Sequence, residues 1–262
     1  MSTAAFAADL APLYKAPPVE VETGGWYLRG DVGVGVQNFS TFDLEPASTL
    51  PSSWTVNQTD IQDTTILGLG IGYELNNWLR FDVTGEYRSK AAFEALGSYD
   101  QGTCTVGGVT GTCFDQYNGN FSAAVFMANA YIDLGTWWCL TPYIGGGIGG
   151  AWDRVSGVGD IGPLPPGTIG FGYASGTQST WNLAWNVTAG LTYNVSDNLK
   201  IDFSWRYLNM GSPESANVYC QNTTSCTPNF FNLKDMTSED FRIGLRYMLQ
   251  PVVAPPVLAS RG

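Results

Sequence analysis

Two acidic residues, Asp82 and Glu86, share a parity and could lie near each other, as general acid–base chemistry requires. Residues an even number of positions apart lie on the same face of a strand, so both carboxylates could point at one substrate. Arg80 and Arg88 flank them on that face. A catalytic pair also needs an accessible cleft, whereas an unpaired buried charge costs several kcal/mol. We therefore expect a buried network in which each of these charges has a partner.

The absence of histidine limits the other chemistry that the sequence could support. A Ser-His-Asp triad cannot form, and no cysteine has a histidine to activate it. The glycines Gly68, Gly70 and Gly72 do not make a phosphate loop, because no helix and no Lys-Ser/Thr pair follow them. The acidic residues Asp43, Glu45, Asp60 and Asp63 lack the spacing of a calcium-binding EF-hand. We expect no enzyme, no metal and no cofactor, and we interpret these acids as solvated.

The cysteines suggest an oxidising compartment. Cys104 with Cys113, and Cys220 with Cys226, are close pairs separated by residues rich in Gly, Thr and Asn. Zinc would favour a C-x₂-C spacing and usually histidine, so we predict two local disulfides, with free thiols as the alternative. Cys139 is left over.

Composition favours strands that pack against something other than water. Only 13% of the 262 residues are charged, while 32 are glycine and 13% are aromatic. No run of 18 or more apolar residues occurs, which excludes a transmembrane helix. A net charge of −11 and an isoelectric point near 4.2 argue against nucleic acid as a partner.

Period-two alternation of apolar and polar residues is the main evidence for the fold. In the third segment, for example, Leu79, Phe81 and Val83 alternate with Arg80 and Asp82. Each segment is long enough for a tilted strand to cross a membrane. The eight segments are Gly25 to Gln37, Thr64 to Leu75, Trp78 to Arg88, Phe121 to Leu134, Pro142 to Asp153, Thr180 to Tyr193, Leu199 to Tyr207 and Asp240 to Leu249.

The connections between these segments alternate in length. Short turns follow the second, fourth and sixth segments, whereas long polar connections cover Asn38 to Asp63, Ser89 to Asn120, Arg154 to Ser179 and Asn209 to Glu239. Outer-membrane barrels have short periplasmic turns and long extracellular loops. The sequence therefore predicts an all-β, eight-stranded antiparallel transmembrane β-barrel. The competing interpretation is a soluble barrel or sandwich, which places its apolar face inside.

The strand positions that alternate with the apolar ones carry equal numbers of bases and acids. We predict a neutral, cross-paired lumen that blocks bulk flow, with the surplus negative charge in the leader and loops. The bases are Arg29, Arg80, Arg88, Lys200, Arg206, Arg242 and Arg246, and the acids are Asp31, Glu74, Asp82, Glu86, Asp133, Asp202 and Asp240.

The residues before and after the predicted barrel form separate segments of the sequence. Ala5-Phe6-Ala7 has the small-x-small form of a signal-peptidase site, although the basic and apolar regions that normally precede it are missing. We predict a signal-peptide remnant over 1–7, a Pro-containing periplasmic leader over 8–24, the barrel over 25–249 and a tail over 250–262.

Four stretches resemble the small outer-membrane barrels of alphaproteobacteria, of the opacity type that is similar to outer membrane protein A. They are Gly25 to Gly33, Met127 to Gly135, Thr141 to Gly149 and Gly244 to Tyr247. The final strand resembles the signal read by the barrel-assembly machinery, with Gly244, Tyr247 and Leu249 at its spacing. That signal usually ends the chain in an aromatic residue, whereas here Leu249 takes that place and a tail follows.

The resemblance implies a surface protein in the outer membrane of a Gram-negative bacterium, since members are described as envelope-stabilising proteins, adhesins or haemin binders. We expect a structural and surface-interaction role, with a small-solute channel or a haemin- or ligand-binding surface protein as alternatives. The implied partners are outer-membrane lipid and lipopolysaccharide, the barrel-assembly machinery and proteins that contact the extracellular loops.

Overall fold

Thirteen β-strands make up the regular structure in a computed structural model that describes residues 24–46, 54–106, 109–163, 169–174, 176–221 and 229–249. The predicted signal-peptide remnant over 1–7, the C-terminal tail and all of the leader except Gly24 lie outside these ranges. The strands are β1 Gly25–Asn38, β2 Thr41–Glu45, β3 Thr55–Ile61, β4 Thr64–Glu74, β5 Leu79–Val106, β6 Val109–Asp133, β7 Leu140–Pro163, β8 Ile169–Tyr173, β9 Thr177–Asn194, β10 Leu199–Asn209, β11 Tyr219–Cys220, β12 Phe230–Lys234 and β13 Thr237–Met248.

Eight of these strands close into a ring in which every neighbouring pair is antiparallel. Its order is β1, β4, β5, β6, β7, β9, β10 and β13, and β13 pairs back with β1 from Tyr27↔Met248 to Asn38↔Thr237. Ring closure leaves no free edge, which a lipid environment requires of a sheet. The predicted eight-stranded antiparallel barrel is therefore confirmed.

In the part of the chain that the structure describes, no helix is long and apolar enough to cross a membrane.

The two faces of the barrel wall have the polarity expected of a membrane barrel. Outward residues are apolar and exposed, for example Leu69 at 69% and Leu183 at 68%, whereas inward Arg80 and Arg88 are fully buried. A soluble barrel would reverse this arrangement, because it gains stability by removing apolar side chains from water. The outward face therefore suits hydrocarbon.

Short turns join the strands at one end of the barrel, here called the turn end. The tightest runs from Trp137 to Leu140, which hydrogen-bond to each other through their backbones at 2.8 and 2.9 Å. Its two central residues, Trp138 and Cys139, have φ of 50° and 69°. Positive φ at both central positions matches the twist of the flanking strands and closes the hairpin in two residues.

The other end differs from the sequence-based expectation. The connection from Ser89 to Asn120, predicted as a polar loop, is mostly a continuation of β5 and β6, whose pairing extends from Leu79↔Ile132 to Val106↔Val109. The extended parts of β5, β6 and β7, together with β3, β8 and β11, form what we call the distal sheet. Parts of the other three long connections also form strands, namely β2, β3, β8, β11 and β12.

A β-bulge explains why the alternation was hard to follow beyond Arg88. The β5–β6 register shifts between Arg88 and Ala91, so three residue steps on β5 face two on β6. Such a bulge exchanges the faces of all later residues. Ala91 and Phe93 therefore point inward, and both are at most 1% exposed. A similar shift on β7 lies next to Gly157, whose φ is 62°.

An apolar core fills the interior at the distal end. β2 and β12 form a separate two-stranded sheet that places Phe42 and Phe231 against Tyr117, with ring centroids 5.2 and 6.2 Å from the Tyr117 ring. Phe93 and Phe121 complete the contact from the wall. The interior thus has two parts, a polar one towards the turn end and an apolar one at the distal end.

Candidate functional site

Each of the fourteen charged residues predicted to face the lumen has an oppositely charged partner within 4 Å. Twelve of them form three groups along the axis of the barrel, and Arg80 with Asp133 forms a separate pair. The group nearest the distal end contains Arg88, Arg206, Glu86 and Asp240, which are all at most 5% exposed. Arg206 Nη2 lies 2.7 Å from Glu86 Oε1 and 2.5 Å from Asp240 Oδ2, while Arg88 Nη2 donates to Asp240 Oδ1 at 2.8 Å.

The middle group joins β1, β5 and β13. Arg29 donates through Nη2 to Asp31 Oδ1 and through Nη1 to Asp82 Oδ2, both at 2.6 Å. Arg242 Nη2 lies 3.1 Å from Asp31 Oδ2 and 3.9 Å from Glu86 Oε2, which connects this group to the previous one. Because Arg29 and Asp82 lie on different strands, as do Arg242 and Asp31, these ion pairs link separate parts of the wall.

The group at the turn end is partly open to solvent. Glu74 accepts from Lys200 Nζ and from Arg246 Nη1, each at 2.8 Å, and Arg246 also lies 3.0 Å from Asp202. The side chains of Lys200 and Glu74 are 20% and 14% exposed, which is more than in the deeper groups.

Arg80 is held mainly by aromatic rings. Its guanidinium carbon lies 4.3 Å from the ring centroid of Tyr131 and 4.4 Å from that of Tyr143. Among the residues that the structure describes, Arg80 forms one ion pair, from Nε to Asp133 Oδ1 at 3.2 Å, and its Nη1 and Nη2 have no hydrogen-bond partner there. Two ring faces stabilise a desolvated cation through their negative quadrupoles.

Glycines make room for these rings. A side chain at Gly145 would collide with the ring of Tyr131, and one at Gly72 would collide with Tyr27. The glycine-rich inward faces of β4 and β7 therefore let large polar side chains lie flat across the wall.

Asp82 and Glu86 have different hydrogen-bond partners. Asp82 accepts hydrogen bonds from Arg29, Asn129 and Tyr27, whereas Glu86 accepts from Arg88 and Arg206. Each carboxylate is therefore held by a separate set of donors, and both are buried. A general base must reach a proton on a substrate, and this geometry gives neither group that access.

One inward acid was missed by the charge balance. Asp153 on β7 is 1% exposed, and its Oδ2 accepts from Asn182 Nδ2 at 2.8 Å. It has the same parity as inward Tyr143, so alternation could have identified it. The predicted equality of seven bases and seven acids is therefore wrong by this one carboxyl group.

Two further carboxyl groups lie inside the distal sheet, beyond the membrane-spanning part. Side chains added at Gly162 and Gly172 would collide with Asp115 and Asp160, which places both carboxyl groups over neighbouring strands. Burial raises the pKa of Asp115 to about 6, and burial together with the charge of Asp115 raises the pKa of Asp160 to about 7. Burial and these two carboxyl groups also raise the pKa of Tyr117.

The cysteines are only partly described. Cys113 is disulfide-bonded, and Cys139 is a free, exposed cysteine in the turn after β6. Because the side chains of Cys104, Cys220 and Cys226 lie outside the described residues, the two pairings stay predictions.

The proposed assembly signal lies on β13 and just after it. Tyr247 and Leu249 point outward and are 53% and 47% exposed, whereas Gly244 faces inward beside Asp31. Recognition by the assembly machinery stays a prediction.

Among the acids predicted to be solvated, Asp43 pairs with Lys234 at 2.7 Å, and within the described residues no group of three acids could hold a metal ion.

We predict that Arg80→Ala destabilises the barrel by about 3 to 5 kcal/mol, because it leaves Asp133 without its ion pair and leaves a void between two rings. Lys90→Ala is the control, since Lys90 is exposed, and it should change stability by less than about 0.5 kcal/mol. Urea unfolding in detergent micelles measures both. Equal stability of the two variants would refute a structural role for Arg80.

The distal sheet should lose stability as pH rises. Asp115 and Asp160 have pKa values of about 6 and about 7 when folded, against 3.8 for an ordinary Asp, so the folded state binds protons more tightly. The stabilisation is complete below the unfolded pKa and is lost as pH rises through the two folded values. The protection factor of the β5–β6 hairpin, which is the intrinsic exchange rate at each pH divided by the observed rate, measures this change at about pH 5 and about pH 8.

The double variant Asp115→Asn with Asp160→Asn should make that protection factor nearly independent of pH, and Asp63→Asn, at an exposed position, is the control. An unchanged pH dependence in the double variant would assign the effect to other groups.

Comparisons with known proteins identify the family of this chain. The family model described as "Outer membrane protein beta-barrel domain" matches residues 2–250. An uncharacterized protein of Brucella suis is 31% identical over 224 residues, covering 79% of this chain and 76% of its own length. A candidate adhesin of Rickettsia prowazekii is 26% identical over 200 residues, covering 74% and 75%. Among solved structures, Neisserial surface protein A is 17% identical with a TM-score of 0.45, covering 86% of this chain and 99% of that one. This chain therefore belongs to the outer membrane protein β-barrel domain family and is an outer-membrane protein of a Gram-negative bacterium.

Proposed function

We propose that the protein is a closed outer-membrane barrel that presents its distal sheet to extracellular partners, and that it acts in envelope integrity and surface interaction rather than as a channel or an enzyme. The observation that carries this proposal is the filled interior. Paired charges occupy the part towards the turn end, and the apolar core under β2 and β12 occupies the distal part.

The closed lumen follows from size as well as from contacts. An eight-stranded ring encloses a space that side chains nearly fill. Arg88 and Asp240 are each 0% exposed, and Phe93 and Phe231 above them are at most 1% exposed. A hydrated ion would have to displace both layers, so the small-solute channel is the weaker alternative.

A role in binding rather than catalysis is supported by the chemistry of the site. The interior carboxylates of the charge network are held by guanidinium or ammonium groups, and the chain has no histidine. The distal sheet extends well beyond the barrel wall, where partners can reach it. The relative in Rickettsia prowazekii that is named as a candidate adhesin is consistent with a surface-binding role.

The position of the barrel in the membrane indicates its other partners. Outward residues such as Leu69 and Leu183 contact outer-membrane lipid, and the exterior just beyond them contacts lipopolysaccharide. The last strand, with Tyr247 and Leu249 on its outward face, is the segment that the barrel-assembly machinery would read.

Single-channel recording in planar bilayers tests the closed lumen. The purified, folded protein should give no steady conductance steps in concentrated KCl, whereas a general porin in the same bilayer gives large ones. Steady steps of porin size from the wild-type protein would overturn the proposal.

A further inference from the structure

We infer that the outward face of the distal sheet is a docking surface for a partner protein that presents an apolar centre beside positively charged side chains. The inference rests on the proposed function, since it names the chemistry of the extracellular partner.

The first observation is an apolar area on this face. Phe114 is 41% exposed, Ile161 38%, Tyr173 51% and Tyr219 47%. The register brings them together, because Tyr173 pairs with Tyr219 on one side and with Gly159 on the other, and Ile161 follows Gly159 by two residues on the same face. Tyrosine and other large side chains at the centre of a surface supply most of the binding energy of protein interfaces.

Lipid does not cover these residues. Outward Lys90 on β5 is exposed and marks the edge of the apolar band, because charged side chains are excluded from hydrocarbon. Phe114 lies opposite Ser98, about eight residues farther along β5, which places it roughly 20 Å beyond that edge for a tilted strand. Side chains that are exposed so far from the bilayer meet water unless another molecule covers them.

The second observation is an unfavourable pair of charges beside the apolar area. Asp60 on β3 lies directly opposite Glu94 on β5, and both are exposed. Like charges at directly opposite positions destabilise a sheet. Among the residues that the structure describes, no Lys or Arg forms an ion pair with Asp60 or Glu94. A cation from a partner would relieve this repulsion.

The acids and the tyrosines lie in one cross-strand row. That row contains, in order, Asp60, Glu94, Asn118, Gly159, Tyr173 and Tyr219. A single partner surface can therefore contact the carboxylates at one end and the rings at the other.

The charge of the surroundings decides which kind of partner fits. Beyond the barrel wall the described basic residues are Lys90, Arg154 and Lys234, and Lys234 is already paired with Asp43 while Arg154 lies 5.5 Å from the ring centroid of Trp152. Apart from the partly buried Asp115 and Asp160, the described acids there are more numerous, namely Asp43, Glu45, Asp60, Asp63, Glu94, Glu214, Asp235 and Glu239. This field repels polyanions and attracts a basic partner.

Binding of a defined probe to the full chain in zwitterionic lipid nanodiscs tests the inference. The probe is a fluorescent peptide of alternating lysine and tryptophan, and the comparison peptide has glutamate in place of lysine. Fluorescence anisotropy at low salt should show binding of the basic peptide alone, with empty nanodiscs as the background.

Variants then locate the site. The isosteric double variant Asp60→Asn with Glu94→Gln removes the charge without changing side-chain size, and it should weaken binding about threefold to tenfold. Tyr219→Ala should weaken binding about tenfold or more. Asp197→Asn, at an exposed position in the turn between β9 and β10, is the matched control and should leave binding unchanged.

Equal binding of the two peptides, or full binding by both sets of variants, would overturn the docking inference. These failures are distinct from a failure of the proposed function, because a closed lumen in the bilayer recording is independent of peptide binding.

Discussion

Ion pairs between strands that are not neighbours are the contacts on which the barrel depends. Arg206 on β10 reaches Glu86 on β5 at 2.7 Å, and Arg246 on β13 reaches Glu74 on β4 at 2.8 Å. Such contacts join strands that are not adjacent in the ring, which backbone hydrogen bonds between neighbours cannot do. In a low-dielectric interior an unpaired charge is costly, so the barrel needs the oppositely charged partner that each of these fourteen residues has. The same side chains occupy the lumen, and the closure that we propose is a consequence of this packing.

The distal sheet has its apolar core on the inner face, because the outer face meets water. On β5 the apolar parity continues from Leu79 to Phe93, but the bulge after Arg88 moves it from the lipid side to the interior. On β6 the parity is constant, and the composition changes instead, from inward Tyr131 to inward Phe121. One structural irregularity and one change in composition therefore convert a membrane barrel into a water-exposed sheet with an apolar core. The outward face left over carries Tyr173, Tyr219, Asp60 and Glu94, and these residues have no structural function that the fold explains.

Alternation in the sequence was sufficient to predict the eight strands of the ring, because each parity meets a uniform environment within the membrane. It did not predict the extension from Ser89 to Asn120, since a bulge breaks the count and the face then changes from lipid to core. The inward charges could be identified individually, but their partners could not, because Arg206 and Glu86 are 120 residues apart and meet only through the register of several strands. Asp153 was predictable from parity alone, whereas the stacking of Arg80 between Tyr131 and Tyr143 required the width of the barrel.

Exchange of arginine side-chain protons measures the central claim most directly, because it reports the burial of each guanidinium group. Six arginines in the barrel are at most 6% exposed, namely Arg29, Arg80, Arg88, Arg206, Arg242 and Arg246, whereas Arg154 is exposed. With ¹⁵N-labelled arginine in detergent micelles, and assignment by single Arg→Lys substitutions, the Nε–H signals of these six should persist at alkaline pH while that of Arg154 disappears. Loss of all the signals at the rate of Arg154 would show a solvated lumen and would contradict the account.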